Sequence, residues 1–236
     1  MLSLILASNS PRRKKILTDM ELKYEVIPSN YDEKLDSDDF SYDKIEDIAT
    51  QKCLDVVRRL GENNNSPLSL PSPVLTDTLS HQINAVGEGK AINDISPSPA
   101  GRGEQSNSLV LAADTVVVLH NKILGKPHTK ENAFKMLKEL SGNTHMVVTS
   151  ICAINTKTNR AVTMSTTSYV RFTEWTDDMI HHYIDEFNPL DKAGSYGIQE
   201  LPDGYLDKYE GSFENIVGLS PESVTTVLNQ LNYNPQ

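Results

Sequence analysis

Apolar positions recur along this chain with periods near 3.6 and near 2, and the switches between the two mark out its elements. Residues 2–7 form a short apolar run that reads as a buried strand, and Ser10-Pro11 then opens a helix, with serine at the cap and proline in the first turn. Residues 22–28 alternate and predict a second strand. Residues 42–60 predict the strongest helix: Ile45, Ile48, Ala49, Cys53, Val56, Val57 and Leu60 share one stripe, and Gly61 follows as a stop. Residues 109–119 are continuously apolar and β-branched, as suits a central strand buried on both faces. A turn and a short strand lead to Gly125-Lys126-Pro127, and Thr129 caps a helix with Ala133, Met136, Leu137 and Leu140 inward and Gly142 at its end. Residues 145–154 and 161–172 are β-rich and joined by the polar turn 156–159, a hairpin signature. Thr176 caps the next helix, with Met179, Ile180, Tyr183, Ile184 and Phe187 inward. Residues 191–218 are Gly-rich and strand-like, and Ser220-Pro221-Glu222 starts a last helix on Val224, Val227, Leu228 and Leu231. Strands and helices alternate and then give way to an antiparallel pair, so the expected class is α/β with a mixed sheet.

Residues 61–108 differ in kind. Asn63-Asn64-Asn65, repeated Ser-Pro pairs and Gly-Glu-Gly and Gly-Arg-Gly runs replace any apolar period, and the stretch reads as a low-complexity, disordered insertion in one domain spanning 1–236. Composition adds less. The 236 residues are 38% hydrophobic, enough for one core, and contain no apolar run long enough to cross a membrane. The apolar N-terminal run lacks the basic start of a secretory signal. Cys53 and Cys152 sit in apolar periodic segments and read as reduced core thiols of a cytosolic protein, and the six histidines make no zinc pattern with them. The net charge of −10 disfavours non-specific nucleic-acid binding, so attraction to a polyphosphate would have to be local.

Three groups carry candidate chemistry. Ser8-Asn9-Ser10-Pro11-Arg12-Arg13-Lys14-Lys15 stands where a strand ends and a helix begins. Free N–H groups and the positive end of the helix dipole point outward at such a corner, hydroxyls can donate to phosphate, and arginine can grip it with two parallel bonds. Asp114-Thr115 lies inside the apolar run, where a carboxylate is costly unless paired or metal-bound. Lys126 in Gly-Lys-Pro and Lys192 in Asp-Lys-Ala-Gly-Ser-Tyr-Gly-Ile-Gln combine positive charge with glycines that let backbone approach a ligand. Glu33 is a weaker candidate, as is Lys52, which adjoins the apolar helix stripe as if its head reached a cleft. There is neither a Walker phosphate loop nor a Gly-x-Ser-x-Gly elbow, which argues against a P-loop ATPase and an α/β-hydrolase.

Taken in order, Ser8-x-Ser10-Pro11-Arg12-Arg13, Ala113-Asp114-Thr115, Gly125-Lys126-Pro127, Leu140-Ser141-Gly142 with His145, the segment from Asp191 to Gln199, and Asn215-Ile-Val-Gly218 closely resemble the Maf family of nucleotide pyrophosphatases. The resemblance spans nearly the whole chain except 61–108. It implies an inosine-triphosphate-pyrophosphatase-like fold, a long mixed β-sheet flanked by helices with two lobes around a central cleft. It also implies a nucleoside triphosphate substrate, a divalent metal cation (Mg²⁺ or Mn²⁺), a cytoplasmic location and a family in which homodimers are frequent, while the acidic charge and the lack of a long apolar run speak against nucleic acid and membrane as partners. It makes Asp114 the proton acceptor and puts base specificity on Arg12, Thr115 and Gln199. The form of the 191–199 segment resembles the dTTP/UTP-cleaving branch; 7-methyl-GTP cleavage and a non-catalytic nucleotide-binding cell-division regulator are the alternatives. Ser8, Ser10, Arg12, Arg13, Lys52, Lys126 and Lys192 would then bind phosphates, and Glu33 or Asp114 the metal. Asp114 is expected either to act as general base or to orient a metal-bound water. Two departures stand out: the insertion exceeds the family's usual connection, and Thr149-Ser150-Ile151 stands where many members have Thr-Gly-Val.

Overall fold

The structure, a computed structural model, describes residues 2–33, 39–62, 90–92 and 107–233. Its centre is a mixed sheet that has eight strands among the described residues. Three long strands form the middle: β4 (Ser108–Leu119), β6 (Thr144–Asn155) and β7 (Ala161–Phe172), antiparallel in that order. On the outer side of β4, β1 (Ser3–Leu6) pairs parallel with it, and β2 (Tyr24–Val26) pairs parallel with β1. The short strand β5 (Lys122–Leu124) folds back antiparallel onto the far end of β4. On the outer side of β7 lie β3 (Lys90–Ile92) and β8 (Leu206–Glu210), both antiparallel to it.

Side chains alternate across β4, and this splits the core into four clusters. Leu109, Leu111 and Ala113 belong to one cluster and Val117 and Leu119 to another on the same face; Val110 and Ala112, then Val116 and Val118, repeat this on the opposite face. Thr115 interrupts the first face and Asp114 the second, at the point where the core changes hands. One face is covered by α1 (Pro11–Asp19) and α6 (Pro221–Gln230) at one end, and by α3 (Lys130–Leu140), α4 (Asp177–Phe187) and the short α5 (Phe213–Val217) at the other. The opposite face carries α2 (Tyr42–Glu62), whose Ile45 packs in one cluster and whose Ala49, Cys53, Val56 and Val57 pack in the other. Two lobes therefore share one set of long strands.

Several predicted bounds shift. The second strand is confined to Tyr24–Val26, because after Ile27 the chain leaves the sheet edge for a loop. The long helix runs through Gly61 to Glu62, since a glycine near a helix end weakens the helix without forcing a stop. The expected strand-like character of residues 191–218 is overturned: 3₁₀ turns at Pro189–Asp191, Ala193–Ser195 and Ile198–Glu200, strand β8 and helix α5 fill that stretch. Gly194 explains part of this. It has φ +64, and a Cβ there would stand 2.8 Å from Val117, so the glycine lets a turn press against β4 where a strand could not. Of the predicted insertion 61–108, Lys90–Ile92 pair with β7 and Ser108 begins β4; residues 63–89 and 93–106 lie outside the described residues. Cys53 and Cys152 are free and buried, and Cys53 donates to the carbonyls of Cys152 and Val110 at 3.0 and 3.3 Å. Burial, reinforced by Cys152, pushes the Cys53 thiol well up, away from the reactive thiolate.

His145, quoted in the resemblance, is a core residue. Its Nε2 shares a 2.8 Å hydrogen bond with the Tyr196 hydroxyl, its Nδ1 is buried without a partner, and burial pulls its pKa down to about 3. The folded value lies below the unfolded one of about 6.5, so the unfolded chain takes up the proton first. Stability is full above pH 6.5 and falls as pH drops through the window from 6.5 toward 3. Between pH 7 and 5 the wild type is expected to lose roughly 2 kcal/mol more than His145→Gln. Urea midpoints at the two pH values measure this, and parallel losses in both proteins would contradict it.

Candidate active site

The cleft comes from a gap in the sheet. β1 pairs with β4 only as far as Leu111, where the Ala7 N–H donates to the Leu111 carbonyl, and β5 pairs from Val117 onward. Between them, among the described residues, the outer edge of β4 has no strand beside it. Asp114 and Thr115 lie in this gap and reach one concavity of about 550 Å³, although they point to opposite faces. The cleft opens where β1 ends, the kind of place at which open α/β sheets bind ligands.

The strand-to-helix corner forms as predicted. Pro11 occupies the first turn of α1, and the Ser10 Oγ accepts from the Arg13 N–H at 3.4 Å. The Ser8 Oγ accepts from the Ser10 N–H at 3.2 Å and from Arg13 Nη1 at 3.3 Å. Both hydroxyls keep their own protons for an incoming oxygen. The two arginines divide their work. Arg12 lines the cleft. Arg13 donates from Nε to the Gly218 carbonyl at 2.9 Å and from Nη2 to the Thr115 Oγ1 at 3.0 Å, tying the corner to the middle of β4. Burial lowers the Arg13 pKa, against the pull of Asp114 and Glu33, yet a guanidinium stays charged at neutral pH. Its three engaged donor atoms make it a brace that carries positive charge.

On the other face, Lys52 does reach the cleft from α2. Its Nζ donates to the Asp114 Oδ1 at 2.6 Å and lies 2.7 Å from the Glu33 Oε1. The lysine and Asp114 side chains are only 10% and 8% exposed, so their charges depend on each other. Lys126 stands 3.8 Å from the other oxygen of Glu33. Burial pushes the Glu33 carboxyl up, but Lys52, Lys126 and Arg13 together outweigh it and hold the pKa below the usual value. Lys192, whose side chain is buried, points between Glu200 at 3.2 Å and Asp191 at 3.5 Å. Gln199 sits exposed on the rim. The residues given a role in the site thus line one cleft, Ser8, Ser10, Arg12, Arg13, Glu33, Lys52, Asp114, Thr115, Lys126, Lys192 and Gln199, whereas Lys14 and Lys15 of the basic corner and His145 do not. Its five cations against three carboxylates leave a local positive excess in a chain of net charge −10.

The site also needs residues the sequence gave little reason to single out. Thr149, opposite Thr115 on β6, shares a 3.0 Å bond with it and donates to the Asn215 carbonyl at 3.0 Å. With that proton committed, Thr115 donates to Thr149 and accepts from Arg13. Asn215, fully buried, donates from Nδ2 to the Val147 carbonyl and the Ser168 Oγ, both at 3.0 Å. Asn215 was visible only as part of a motif, and Glu200 only as a charge beside Gln199. Among the described residues no three histidine, cysteine or acidic side chains are placed to hold a metal ion together. Glu33 and Asp114, brought together on Lys52, match what Mg²⁺ uses when phosphates complete its shell: one or two carboxylates.

Fold and site together define a mixed α/β protein with a cation-lined cleft at a broken sheet edge. The family model described as Maf-like protein matches residues 3–231, and the chain belongs to that family. It is 35% identical over 221 residues to a "dTTP/UTP pyrophosphatase" of Clostridium perfringens strain SM101, a match covering 92% of this chain and 91% of that protein. Proteins with the same description from Caldicellulosiruptor saccharolyticus and Bdellovibrio bacteriovorus are each 32% identical, covering 99% and 97% of this chain and 96% and 98% of theirs. A solved nucleoside-triphosphatase / dITP/XTP pyrophosphatase of Mycobacterium abscessus aligns over 97% of this chain and 94% of its own at 11% identity with a TM-score of 0.40, too loose a match to locate any residue.

Proposed function

We propose that this protein hydrolyses dTTP and UTP to the monophosphate and pyrophosphate. The observation that carries the reading is the convergence of five cations and the Lys52–Asp114–Glu33 cluster on one cleft. A binding module needs positive charge for a triphosphate but gains nothing from carboxylates aimed at it. The names of the related proteins supply the pyrimidine preference.

In this reading the phosphates lie over Ser8, Ser10 and Arg12, with Arg13, Lys52, Lys126 and Lys192 balancing their charge. A water beside Asp114 attacks the α-phosphorus. The new P–O bond forms as the α–β bridging bond breaks, pyrophosphate leaves, and the Asp114 carboxylate takes the water's proton. Lys52 holds Asp114 in place and offsets the charge that accumulates, so positioning and electrostatics supply most of the acceleration. Glu33 and Asp114 would hold Mg²⁺ or Mn²⁺, which when bound polarises phosphoryl oxygens. Arg12, Thr115 and Gln199 set the base preference. The free buried thiols suit a reducing compartment, and the enzyme is assigned to the cytoplasm.

The test is incubation of the whole chain with each common triphosphate and 7-methyl-GTP in Mn²⁺, reading pyrophosphate and monophosphate. Expected is kcat/KM at least about tenfold higher for dTTP and UTP than for the others. A reversed order in favour of 7-methyl-GTP would move the protein to that substrate. Tight binding without product would make it a nucleotide-responsive regulator instead.

A further inference from the structure

Glu33 reaches the cleft from residues 28–33, a loop without regular structure, so something outside it must fix its position. The answer lies on a second stripe of α2. Lys52, Asp55 and Arg59 follow one another at spacings of three and four, on the side of the helix next to its apolar stripe. Lys52 holds Glu33 at the far end of the loop. Asp55 and Arg59 hold its start. The Asp55 Oδ2 accepts from the Asn30 N–H at 2.9 Å, from the Ser29 hydroxyl at 3.2 Å and from Arg59 Nη2 at 3.0 Å. Arg59 Nη2 also donates to the Pro28 carbonyl at 2.5 Å. The Ser29 Oγ in turn accepts from the Tyr31 N–H at 3.0 Å, which curls the loop toward the cleft.

An i,i+4 ion pair on a helix surface is by itself a weak feature. This one spends its bonds elsewhere: together the two side chains engage Pro28, Ser29 and Asn30, and both are only about a quarter to a third exposed. Pro28, Ser29, Tyr31 and Glu33 all line the cleft. We infer that Asp55 and Arg59 form a clamp that sets the loop 28–33, and through it the Glu33 carboxylate, at its working position over Lys52. They are positioning residues: neither lines the cleft, and both act through Glu33. This inference rests on the phosphate-cleaving reading of the site, and it extends the functional set to two charges on the outer side of α2.

The test uses Asp55→Ala, Asp55→Asn and Glu33→Gln in the whole chain. Asp55→Ala is expected to lower kcat/KM for dTTP about tenfold, within the range a small misplacement of a site group costs, and to raise the Mn²⁺ concentration giving half-maximal rate. Asp55→Asn, which keeps an acceptor oxygen, recovers part of the loss. The double variant Glu33→Gln/Asp55→Ala matches Glu33→Gln alone, because the clamp acts only through the residue already disabled. A further tenfold loss in the double variant, or full activity in Asp55→Ala, would overturn the clamp. Amide exchange reads it without turnover: Asn30 and Tyr31 should exchange at least about tenfold faster in Asp55→Ala, and unchanged exchange would also overturn it. If the wild type releases no pyrophosphate, the functional reading fails while exchange still decides whether the clamp exists.

Discussion

Asp114→Asn is expected to lower kcat for pyrophosphate release at least about a hundredfold, the scale of a lost general base, while the protein folds and binds dTTP. Asparagine has the same outline and keeps an oxygen that Lys52 can donate to at the 2.6 Å position, so the architecture of the cleft survives. What disappears is the negative charge and with it the capacity to take a proton. Single-turnover assays at saturating dTTP, with binding measured in parallel by calorimetry, separate the two. Turnover within a few-fold of the wild type would end the assignment of Asp114 as the base and require another group to activate the water.

The second large effect comes from the other end of the same ion pair. Lys52→Met should destabilise the fold by about 3 kcal/mol or more, because it strands a buried carboxylate without its cation. Methionine fits the apolar path of the lysine stem, so lost packing contributes little. The diagnostic is the double variant. Lys52→Met/Asp114→Asn removes the stranded charge and is expected to regain most of the lost stability while remaining inactive. Urea denaturation of both variants and the wild type gives the coupling. If the double variant is no more stable than Lys52→Met, the pair is not the mutually dependent unit described above. Glu33, at 39% exposure and shared with Lys126, cannot replace Asp114 as the buried partner.

The proposed chemistry also accounts for a buried charge pair at the centre of a core. Along β4, every neighbour of Asp114 and Thr115 is apolar and packed. Two leucines or valines there would fill the gap at lower desolvation cost, since a buried pair is weak evidence for stability. Polar residues at this point are what the proposed active site requires.

The sequence by itself determined the elements with a clear period. The stripe of α2, the hairpin of β6 and β7, the serine and threonine caps at Ser10, Thr129, Thr176 and Ser220, and the apolar run of β4 were legible because each is a local preference backed by burial. Asp114 stood out for the same reason in reverse, as a charge inside such a run. The conformation of residues 191–218 was not legible, because it is set by what it packs against: Gly194 against Val117, and Asn215 against Val147 and Ser168. The order of strands was decided only in three dimensions as well, and with it the cleft. That the pairing of β1 with β4 stops at Leu111 and that of β5 with β4 starts at Val117, on the same side of β4, is a matter of contact between distant segments, with no local trace. The same holds for the division between Arg12 and Arg13, adjacent and chemically alike: both line the cleft, but only Arg13 also braces Thr115 and Gly218. A sequence records what each side chain can do; long-range pairing decides which groups are left unpaired at a sheet edge, and that is where this protein places its charges.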